Sequence, residues 1–470
     1  MSPLDAGFLH LEDRHTSLHI AGIGIFEGPP PAYTDVAELF HHKLQRVPRY
    51  RQRAHPVPLR LGRPVWVDDP HFDLGYHLRH TALPAPGDDA QLRRLVGRLM
   101  SQQLDRDRPL WEAWVVEGLE QDRWALISKV HHSMVDGIAG TDLISAIYDH
   151  SPEPTRTPPD AWVPERQPNA LQLLTGAALE RARSPLDEAR SLATALRDPV
   201  RFAGLAAATM RGLTGYATAM RPTEASSLVG PIGPHRRYRW ANVALSDLQL
   251  VRQSFGGTLN DVVLALVTRG FRDLLIARGE PLHRHVVRSL VPVSVRHPSD
   301  RGRFDNRVSA MLAELPVDVD DPVGRLAEVA TQMRHLKESR EAVAGDALTS
   351  LAVWAPEPIL GMALHVGFRL PHRNLTTVTT NVPGPTEPLY VAGRRMLATY
   401  PYVPIADRLR TGVAITSYEG QLTFGVTADR DTVPDVDLIS TGIEAAATEL
   451  VDAAHRHQAS TRRRKVAARA

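Results

Sequence analysis

The 470-residue chain contains no cysteine, so no thiolate is available as a nucleophile and no disulfide framework can form. It has no run of eighteen apolar residues, which excludes a helix that spans a bilayer. Neither sign of charge dominates, because 55 lysines and arginines face 53 acidic residues and leave a formal net charge of +2. The composition therefore provides no overall field for nucleic acid. We also expect no secretory signal, because no basic segment followed by an apolar one opens the chain.

The length and the apolar content suit two domains. Hydrophobic residues make up 43% of the chain and charged residues 23%, which is typical of globular proteins. Strand and helix patterns mix in both halves and predict an α/β layered fold. We assign residues 1–150 to an N-terminal domain, 151–235 to a linker with crossover helices, 236–457 to a C-terminal domain and 458–470 to a basic tail.

Hydrophobic periodicity predicts the main elements. The predicted helices are Thr34 to Val47, Ala90 to Leu104, Ile138 to Tyr148, Leu259 to Arg278 and Val436 to His457. The predicted strands are Leu18 to Phe26, His285 to Val295 and Thr376 to Asn381, with hairpins formed by Trp114 to Gly118 with Trp124 to Val130 and by Arg410 to Tyr418 with Gly420 to Ala428.

The segment between the halves has a biased composition. Ser151 to Pro168 contains six prolines, which favours an extended linker. The alanine-rich stretch from Ala170 to Met220 suits helices that are either buried crossovers or lie at a lipid interface. The tail around Arg462 to Lys465 is basic, and either a solvated end or an attraction to an anionic membrane surface explains it.

One short motif carries the chemistry. His131-His132-Ser133-Met134-Val135-Asp136-Gly137 reads HHxxxDG and follows an apolar run that we predict to be a strand. Histidine accepts a proton near neutral pH, which suits general-base catalysis on a substrate hydroxyl. Zinc binding is the weaker interpretation, because neighbouring residues on a strand point to opposite faces. A buried and satisfied histidine pair is the other alternative.

Four further segments accompany HHxxxDG in one order. They are Pro3 to Phe8, Pro109-Leu110-Trp111, Asn260-Asp261 and Asn381 to Pro385, which reads NVPGP. In these motifs the chain resembles the bacterial wax ester synthase/acyl-CoA:diacylglycerol acyltransferases, within the superfamily of CoA-dependent acyltransferases. The resemblance extends over nearly the whole chain. It implies two chloramphenicol-acetyltransferase-like domains, with the HHxxxDG loop facing a tunnel that acyl-CoA and an alcohol enter from opposite sides.

The resemblance makes His132 the expected general base. It would take the proton of the acceptor hydroxyl and return it to the CoA thiolate. We expect His131 to support the loop, with a second catalytic histidine as the lesser alternative. Asp136 either orients His132 or is a buried anion paired with an arginine, for which Arg296 is a candidate. Gly137 fits a tight turn before a helix.

Three more residues are candidates for substrate binding. Asn260 either donates a hydrogen bond to the oxyanion or caps the helix that follows, and the cap is the preferred interpretation. Asn381 is either a turn residue or lines the site. Trp111 either forms a wall of the acyl channel or belongs to the core.

The function that follows is transfer of a long acyl chain from CoA to diacylglycerol or to a long-chain alcohol. Acyl-CoA is a co-substrate, and we expect no cofactor, no metal and no nucleic-acid partner. Transfer should be direct, because no GxSxG element surrounds any serine. A cytoplasmic enzyme at the periphery of membranes or lipid inclusions is the expected location. The alternatives are a condensation-type acyltransferase with another donor or acceptor, and a non-catalytic protein on lipid inclusions.

Overall fold

The computed structural model describes residues 1–134, 146–154, 162–179, 226–294, 308–338, 375–406 and 408–467. Its helices are α1 Pro3–Leu11, α2 Tyr33–Lys43, α3 Leu74–His77, α4 Asp89–Met100, α5 170–179, α6 Leu245–Phe255, α7 Leu259–Ala277, α8 Pro322–Glu338 and α9 Asp437–Ala467. None of these helices is both long and apolar enough to cross a bilayer.

The strands build two six-stranded sheets and one small hairpin. They are β1 His19–Glu27, β2 Gln52–His55, β3 Val65–Asp68, β4 Leu78–Ala82, β5 Trp111–Leu119, β6 Arg123–His131, β7 Arg236–Ala244, β8 Val287–Ser294, β9 Val308–Leu315, β10 Thr377–Val382, β11 Tyr390–Val391, β12 Arg394–Tyr402, β13 Thr411–Tyr418 and β14 Gln421–Asp429. The first sheet has the order β11-β12-β1-β6-β5-β4, the second β7-β14-β13-β10-β8-β9, and β2 pairs with β3. The mixed α/β class predicted from the sequence is confirmed.

The centre of the first sheet is β6, which is antiparallel to β1 on one side and to β5 on the other. From Trp124 to His131 every residue of β6 is buried. Such a strand carries an apolar run rather than an alternation, because both faces of the sheet are covered. Its carboxyl end brings the histidine pair to the edge of the core.

The first sheet is completed by strands from the second half of the chain. β12 pairs antiparallel with β1 over Ala21 to Phe26, and β11 pairs with β12. The domain boundaries predicted from the sequence assign β11 and β12 to the C-terminal domain. In the structure both strands belong to the first sheet, together with strands of the N-terminal half. Short-range patterns do not reveal this exchange, because it depends on which strand lies next to β1.

The second sheet is covered by α6, α7, α8 and α9. α7 begins with a capping box, in which the Thr258 side chain accepts from the Asp261 main chain and the Asp261 carboxylate accepts from that of Thr258. Residues 262–267 of α7 are fully buried. β13 and β14 form the predicted hairpin, whose turn holds Glu419 and Gly420 at positive φ of 42° and 80°.

The two sheets share a core. Apolar residues of α4 and of the first sheet pack with Tyr238 and Trp240 of β7 and with Tyr400 and Tyr402 of β12. The Tyr238 hydroxyl donates to the Pro401 carbonyl at 2.7 Å. β12 thus pairs within the first sheet and packs on the second, so that the two halves cannot separate without exposing aromatic surface.

α9 is longer than the sequence predicts. It continues through the residues that we assign to a basic tail and ends at Ala467. The part up to Ala454 packs on the core, whereas the residues from His455 to Ser460 are all exposed. Polar side chains hide this extension in a periodicity analysis, since no apolar stripe marks it.

Close packing of β14 on β12 gives a stability prediction. A Cβ on Gly425 would lie 1.7 Å from the Pro401 carbonyl oxygen, so Gly425→Ala must push the strands apart. We expect its free energy of unfolding in urea to fall by about 2–3 kcal/mol. Gly176→Ala in α5 is the control, because no heavy atom lies within 4 Å of its Cβ. Equal stability of the two variants would contradict this packing.

Candidate active site

The histidine pair lies where β6 ends and a single 3₁₀ turn begins. His131 is the last residue of β6, and His132–Met134 form the turn. The His131 N–H donates to the Leu110 carbonyl and the His132 N–H to the Leu18 carbonyl, both at 2.9 Å. The two neighbouring segments therefore fix the main chain of the pair on both sides.

His132 is partly exposed and is covered by α1. The ring centroids of Phe8 and His132 lie 4.2 Å apart at an interplanar angle of 38°. Its Nδ1 atom is buried and has no hydrogen-bond partner among the described residues. Burial lowers the pKa of His132 below the ordinary 6.5. The imidazole is therefore neutral at neutral pH and able to accept a proton.

His131 occupies a different environment. It is fully buried, and burial lowers its pKa to about 3. The Ser133 main-chain N–H donates to His131 Nδ1 at 3.1 Å, and the Ser133 hydroxyl lies 2.8 Å from the same atom. A ring nitrogen that accepts a main-chain N–H leaves the proton of the neutral ring on Nε2. His131 and Ser133 thus contact each other and are both buried.

A buried carboxylate lies below the pair. Glu12, directly after α1, is only 3% exposed. Its Oε1 atom lies 3.1 Å from His19 Nε2 and accepts the Leu18 N–H at 3.3 Å. Its Oε2 atom accepts from Arg106 at 2.8 Å and lies 3.7 Å from His131 Nε2. We call Glu12, His19, Arg106 and His131 the Glu12 cluster.

The partners of Glu12 decide its charge. Burial by itself would raise the pKa of the carboxyl, but the hydrogen bond of His19, the charges that His19 and His131 gain in acid, and the hydrogen bond of Arg106 lower that pKa to about 2. His19 is directly opposite His131 in the β1–β6 ladder, so both rings lie on one face of the sheet. Burial, opposed by Glu12, lowers the pKa of His19. Glu12 is therefore a buried anion between two neutral imidazoles and one arginine.

The Glu12 cluster is not predicted by the sequence pattern. A glutamate at the end of a short amphipathic helix is an ordinary surface residue by pattern. The one available signal is His19 at the start of the mostly apolar β1, where an unpartnered polar side chain would be costly if buried. Its partner could not be named, because the contact depends on where α1 packs.

The structure brings Asn260 and Asn381 together. Asn381 Nδ2 donates to Asn260 Oδ1 at 3.4 Å. The preferred interpretation of Asn260 as a helix cap is wrong, because Thr258 is the N-cap of α7 and Asn260 lies within its first turn. Both asparagines are partly exposed, so their amides are available to a bound molecule.

The sheet opens beside Asn381. β10 pairs with β13 along its full length to Val382, but with β8 only at Thr377 and Val378. Beyond Val378 the two parallel strands diverge at their carboxyl ends. Ligands of open sheets bind at such carboxyl ends, which favours a substrate-lining role for Asn381.

Trp111 is part of the core. It is 2% exposed, its Nε1 atom donates to the Tyr50 carbonyl at 2.8 Å, and its ring stacks on His77 with centroids 4.7 Å apart. The ring also faces Phe40, with centroids 6.3 Å apart. These are the contacts of a structural tryptophan, and contact with an acyl chain stays a prediction.

Asp136, Gly137 and Arg296 lie outside the described residues, and so does most of the alanine-rich stretch. The segment that follows the motif is nevertheless anchored where it is described. Lys43 Nζ lies 2.9 Å from the buried Asp149 carboxylate and donates to the Ile147 carbonyl at 2.6 Å. Asp149 also exchanges two main-chain hydrogen bonds with Tyr390 of β11. In the part of the chain that is described, no group of three or more metal-ligating side chains could hold a metal ion.

Solved structures define the class of this fold. The starter condensation domain of rhizomide synthetase, in complex with C8-CoA and Leu-SNAC, superposes with a TM-score of 0.57 at 16% identity and covers 96% of this chain and 92% of its own. At that identity the likeness concerns the fold alone. A wax ester synthase/diacylglycerol acyltransferase from Marinobacter aquaeolei VT8 superposes with a TM-score of 0.69 at 27% identity, covering 97% and 99%. The chain thus has the two-domain acyltransferase fold expected from the sequence.

The family follows from sequence comparison. Residues 1–263 match the wax ester synthase/diacylglycerol acyltransferase catalytic domain, and residues 304–451 match the C-terminal domain of the same family. "Probable diacyglycerol O-acyltransferase tgs1" of Mycobacterium tuberculosis is 41% identical over 465 residues, which is 98% of either chain. A second relative in that organism, Rv3371, is 32% identical over 96% of this chain. The chain belongs to the wax ester synthase/diacylglycerol acyltransferase family, and it is an acyltransferase.

Removal of the Glu12 charge should change the response to acid. The pKa of Glu12 is lowered from 4.5 to about 2 on folding, so its ionisation stabilises the fold fully above pH 4.5 and ceases to do so towards pH 2. His131 acts in the same direction at higher pH, because its folded pKa of about 3 lies below 6.5. We expect Glu12→Gln to lose about 2–3 kcal/mol at pH 7, the order set by this change of pKa, because the half-exposed Arg106 keeps its access to water.

Urea unfolding over a pH series measures both effects. Below pH 4.5 the stability of Glu12→Gln should decline less steeply than that of the wild type, whereas the decline between pH 6.5 and 4.5 should persist. Exposed Glu165, as Glu165→Gln, is the control and should follow the wild type. Parallel wild-type and Glu12→Gln curves below pH 4.5 would show that Glu12 is not a buried anion.

Proposed function

We propose that the chain transfers a long acyl group from acyl-CoA to the free hydroxyl of diacylglycerol, giving triacylglycerol, and to long-chain alcohols, giving wax esters. The observation that carries the proposal is the partly exposed His132, with a lowered pKa, at the end of a central strand. The name and the near-complete coverage of the 41% identical relative support the same reaction. Neither alternative has a comparable observation in its favour.

In the proposed reaction, the neutral His132 imidazole takes the proton of the acceptor hydroxyl as that oxygen attacks the thioester carbonyl. We assign this role to Nε2, because Nδ1 is buried. Collapse of the tetrahedral intermediate breaks the carbon–sulfur bond, and the imidazolium returns its proton to the CoA thiolate. A general base of this kind contributes ~10²–10⁴ in rate.

The surroundings of Ser133, the serine next to His132, support direct transfer. Ser133 is 2% exposed and its hydroxyl is engaged with His131, so it is not presented to a substrate. A base that acts on the acceptor requires acceptor and donor to be bound together. The proposed reaction therefore runs through a ternary complex.

The two asparagines suit a binding role in this complex. The Asn260 and Asn381 amides meet at the open end of the second sheet and offer donors to a carbonyl or hydroxyl. In the proposal they hold the substrate, while Asp136 and Gly137 shape the loop after His132. Trp111 supports this site from the core. We further propose that the enzyme works at the periphery of a membrane or lipid inclusion, where diacylglycerol is found.

Replacement of His132 tests the proposed function. The wild type should release CoA from palmitoyl-CoA with dioleoylglycerol or hexadecanol and form the corresponding lipid product. His132→Ala should lower that rate by ~10²-fold or more, with an unchanged thermal melt. His131→Ala should lower the melting temperature, because it disrupts a buried cluster.

Two results would contradict this assignment. Retention of most of the rate in His132→Ala would show that His132 is not the general base. A stable acyl adduct in intact mass spectra of the wild type, after incubation with palmitoyl-CoA alone, would show a covalent route.

The cover of His132 predicts its pH dependence. Because burial lowers the pKa of His132, the acid limb of kcat/KM for CoA release should lie below pH 6.5. Phe8→Ala admits water to the ring and should move that limb upward, towards 6.5. Phe8→Leu keeps an apolar cover and should stay near the wild type. An acid limb that is identical in all three proteins would rule out control of this pKa by Phe8.

A further inference from the structure

The exposed apolar residues of this chain are concentrated in one place. Eight large hydrophobic residues are exposed among the described residues, and five of them lie either in the loop between β2 and β3 or in the segment 162–179. These five are Leu59 at 85% exposure, Leu61 at 42%, Val163 at 77%, Leu171 at 69% and Leu179 at 51%. Monomeric proteins seldom leave apolar residues clustered at one site without a function.

The two segments form one unit. The linker is held on the β2–β3 hairpin by Arg51, whose guanidinium lies 4.9 Å from the centre of the Trp162 ring, and by the Glu165 N–H, which donates to Asp68 at 3.0 Å. Closer to the loop, a Cβ on Gly62 would lie 2.7 Å from the Ala177 Cβ, so α5 packs directly on the loop. The exposed leucines of both segments therefore flank one contact.

α5 presents leucines on its outer side as well as on its inner side. Leu173 is buried, and Leu171 and Leu179 on the outer side are exposed, together with the uncharged Gln172 and Thr175. The helix carries no charged residue between 170 and 179. An outer side with exposed leucines and no charge is suited to contact with an apolar layer.

The loop presents a leucine on a rare backbone conformation. Leu59 has φ 56° and ψ 13°, in the left-handed region that residues other than glycine seldom adopt. The side chain held in this conformation is 85% exposed, so the unfavourable backbone geometry does not serve to bury it in the core. Strain of this kind is found mainly where it has a functional purpose.

The sequence next to the exposed leucines is basic. Residues 53–67 contain Arg53, Arg60 and Arg63 and no acidic residue, and residues 166–179 contain Arg166 and again no acidic residue. The acidic residues Asp68, Asp69 and Glu165 lie just outside these ranges, where the linker meets the end of β3. Apolar residues next to basic ones are typical of surfaces that enter the headgroup region of anionic lipids.

We infer that the loop 58–62 and the outer face of α5 form a docking surface for an anionic lipid layer. Leu59, Leu61, Leu171 and Leu179 insert below the headgroups, and the arginines contact the anionic groups. The inference rests on the proposed function, because a membrane-resident acceptor is what the docking would supply. It places the contact on the linker and its hairpin rather than on the basic end of α9.

Vesicle flotation of the full chain tests the inference. We expect the wild type to bind phosphatidylcholine vesicles that contain phosphatidylglycerol, and to bind pure phosphatidylcholine more weakly. Leu59→Glu with Leu171→Glu should lower the partition coefficient by about tenfold or more. Ile276→Glu is the matched control, because Ile276 is 51% exposed at the end of α7, and it should bind as the wild type does.

Several outcomes would overturn the inference. These are unchanged binding of the double variant, equal binding of the wild type to neutral and anionic vesicles, or equal loss in Ile276→Glu. A lower melting temperature of the double variant, or a wild-type dimer that this variant converts to a monomer, would show that the chain itself covers the surface.

CoA release with a water-soluble alcohol should be unchanged in the double variant. Absence of that activity in the wild type would count against the proposed function and would leave the flotation result interpretable.

Discussion

A carboxylate buried beneath the turn that carries His132 links more of the described structure than any other single group. The Glu12 side chain is almost inaccessible to water, so its ionised form depends on the groups that contact it. Its partners come from β1, from the end of β6 and from the segment after α4. Arg106 also donates to the Leu9 carbonyl, which fastens α1 to the same place. Because α1 carries Phe8, the position of the cover on His132 depends on this carboxylate.

The exchange of strands between the halves has a comparable effect at larger scale. The Tyr418 hydroxyl, at the end of β13 in the second sheet, accepts from the Leu389 N–H and donates to the Met396 carbonyl, both at 3.0 Å. Leu389 precedes β11 and Met396 lies in β12, both of which belong to the first sheet. The proposed site, with His132 directly after β6, Asn260 on α7 and Asn381 on β10, requires such a fixed arrangement.

Local sequence patterns predict much of this fold and less of its site. The β13–β14 hairpin, α2, α4 and α7 follow from periodicity and turn residues, because each is specified by neighbours along the chain. The place of β12 and the contacts of Glu12 with Arg106 and His131 span more than 90 residues, which periodicity does not encode. Asn260 shows a smaller failure, since a threonine two residues earlier provides the better cap. His132 can be predicted as the candidate base because its motif is contiguous in the sequence.

The environment of the adjacent histidines explains how one of them can remain a free base. Glu12 is ionised and Arg106 is paired with it, while burial keeps His19 and His131 neutral, so the cluster beneath the loop has no net charge. A net negative charge on the cluster would raise the pKa of His132 and favour its protonated form. A net positive charge would lower that pKa further and weaken His132 as a base. With the two charges balanced, burial remains the main cause of the lowered His132 pKa. The same arrangement keeps that pKa sensitive to Phe8, because an apolar cover acts by excluding water rather than by charge.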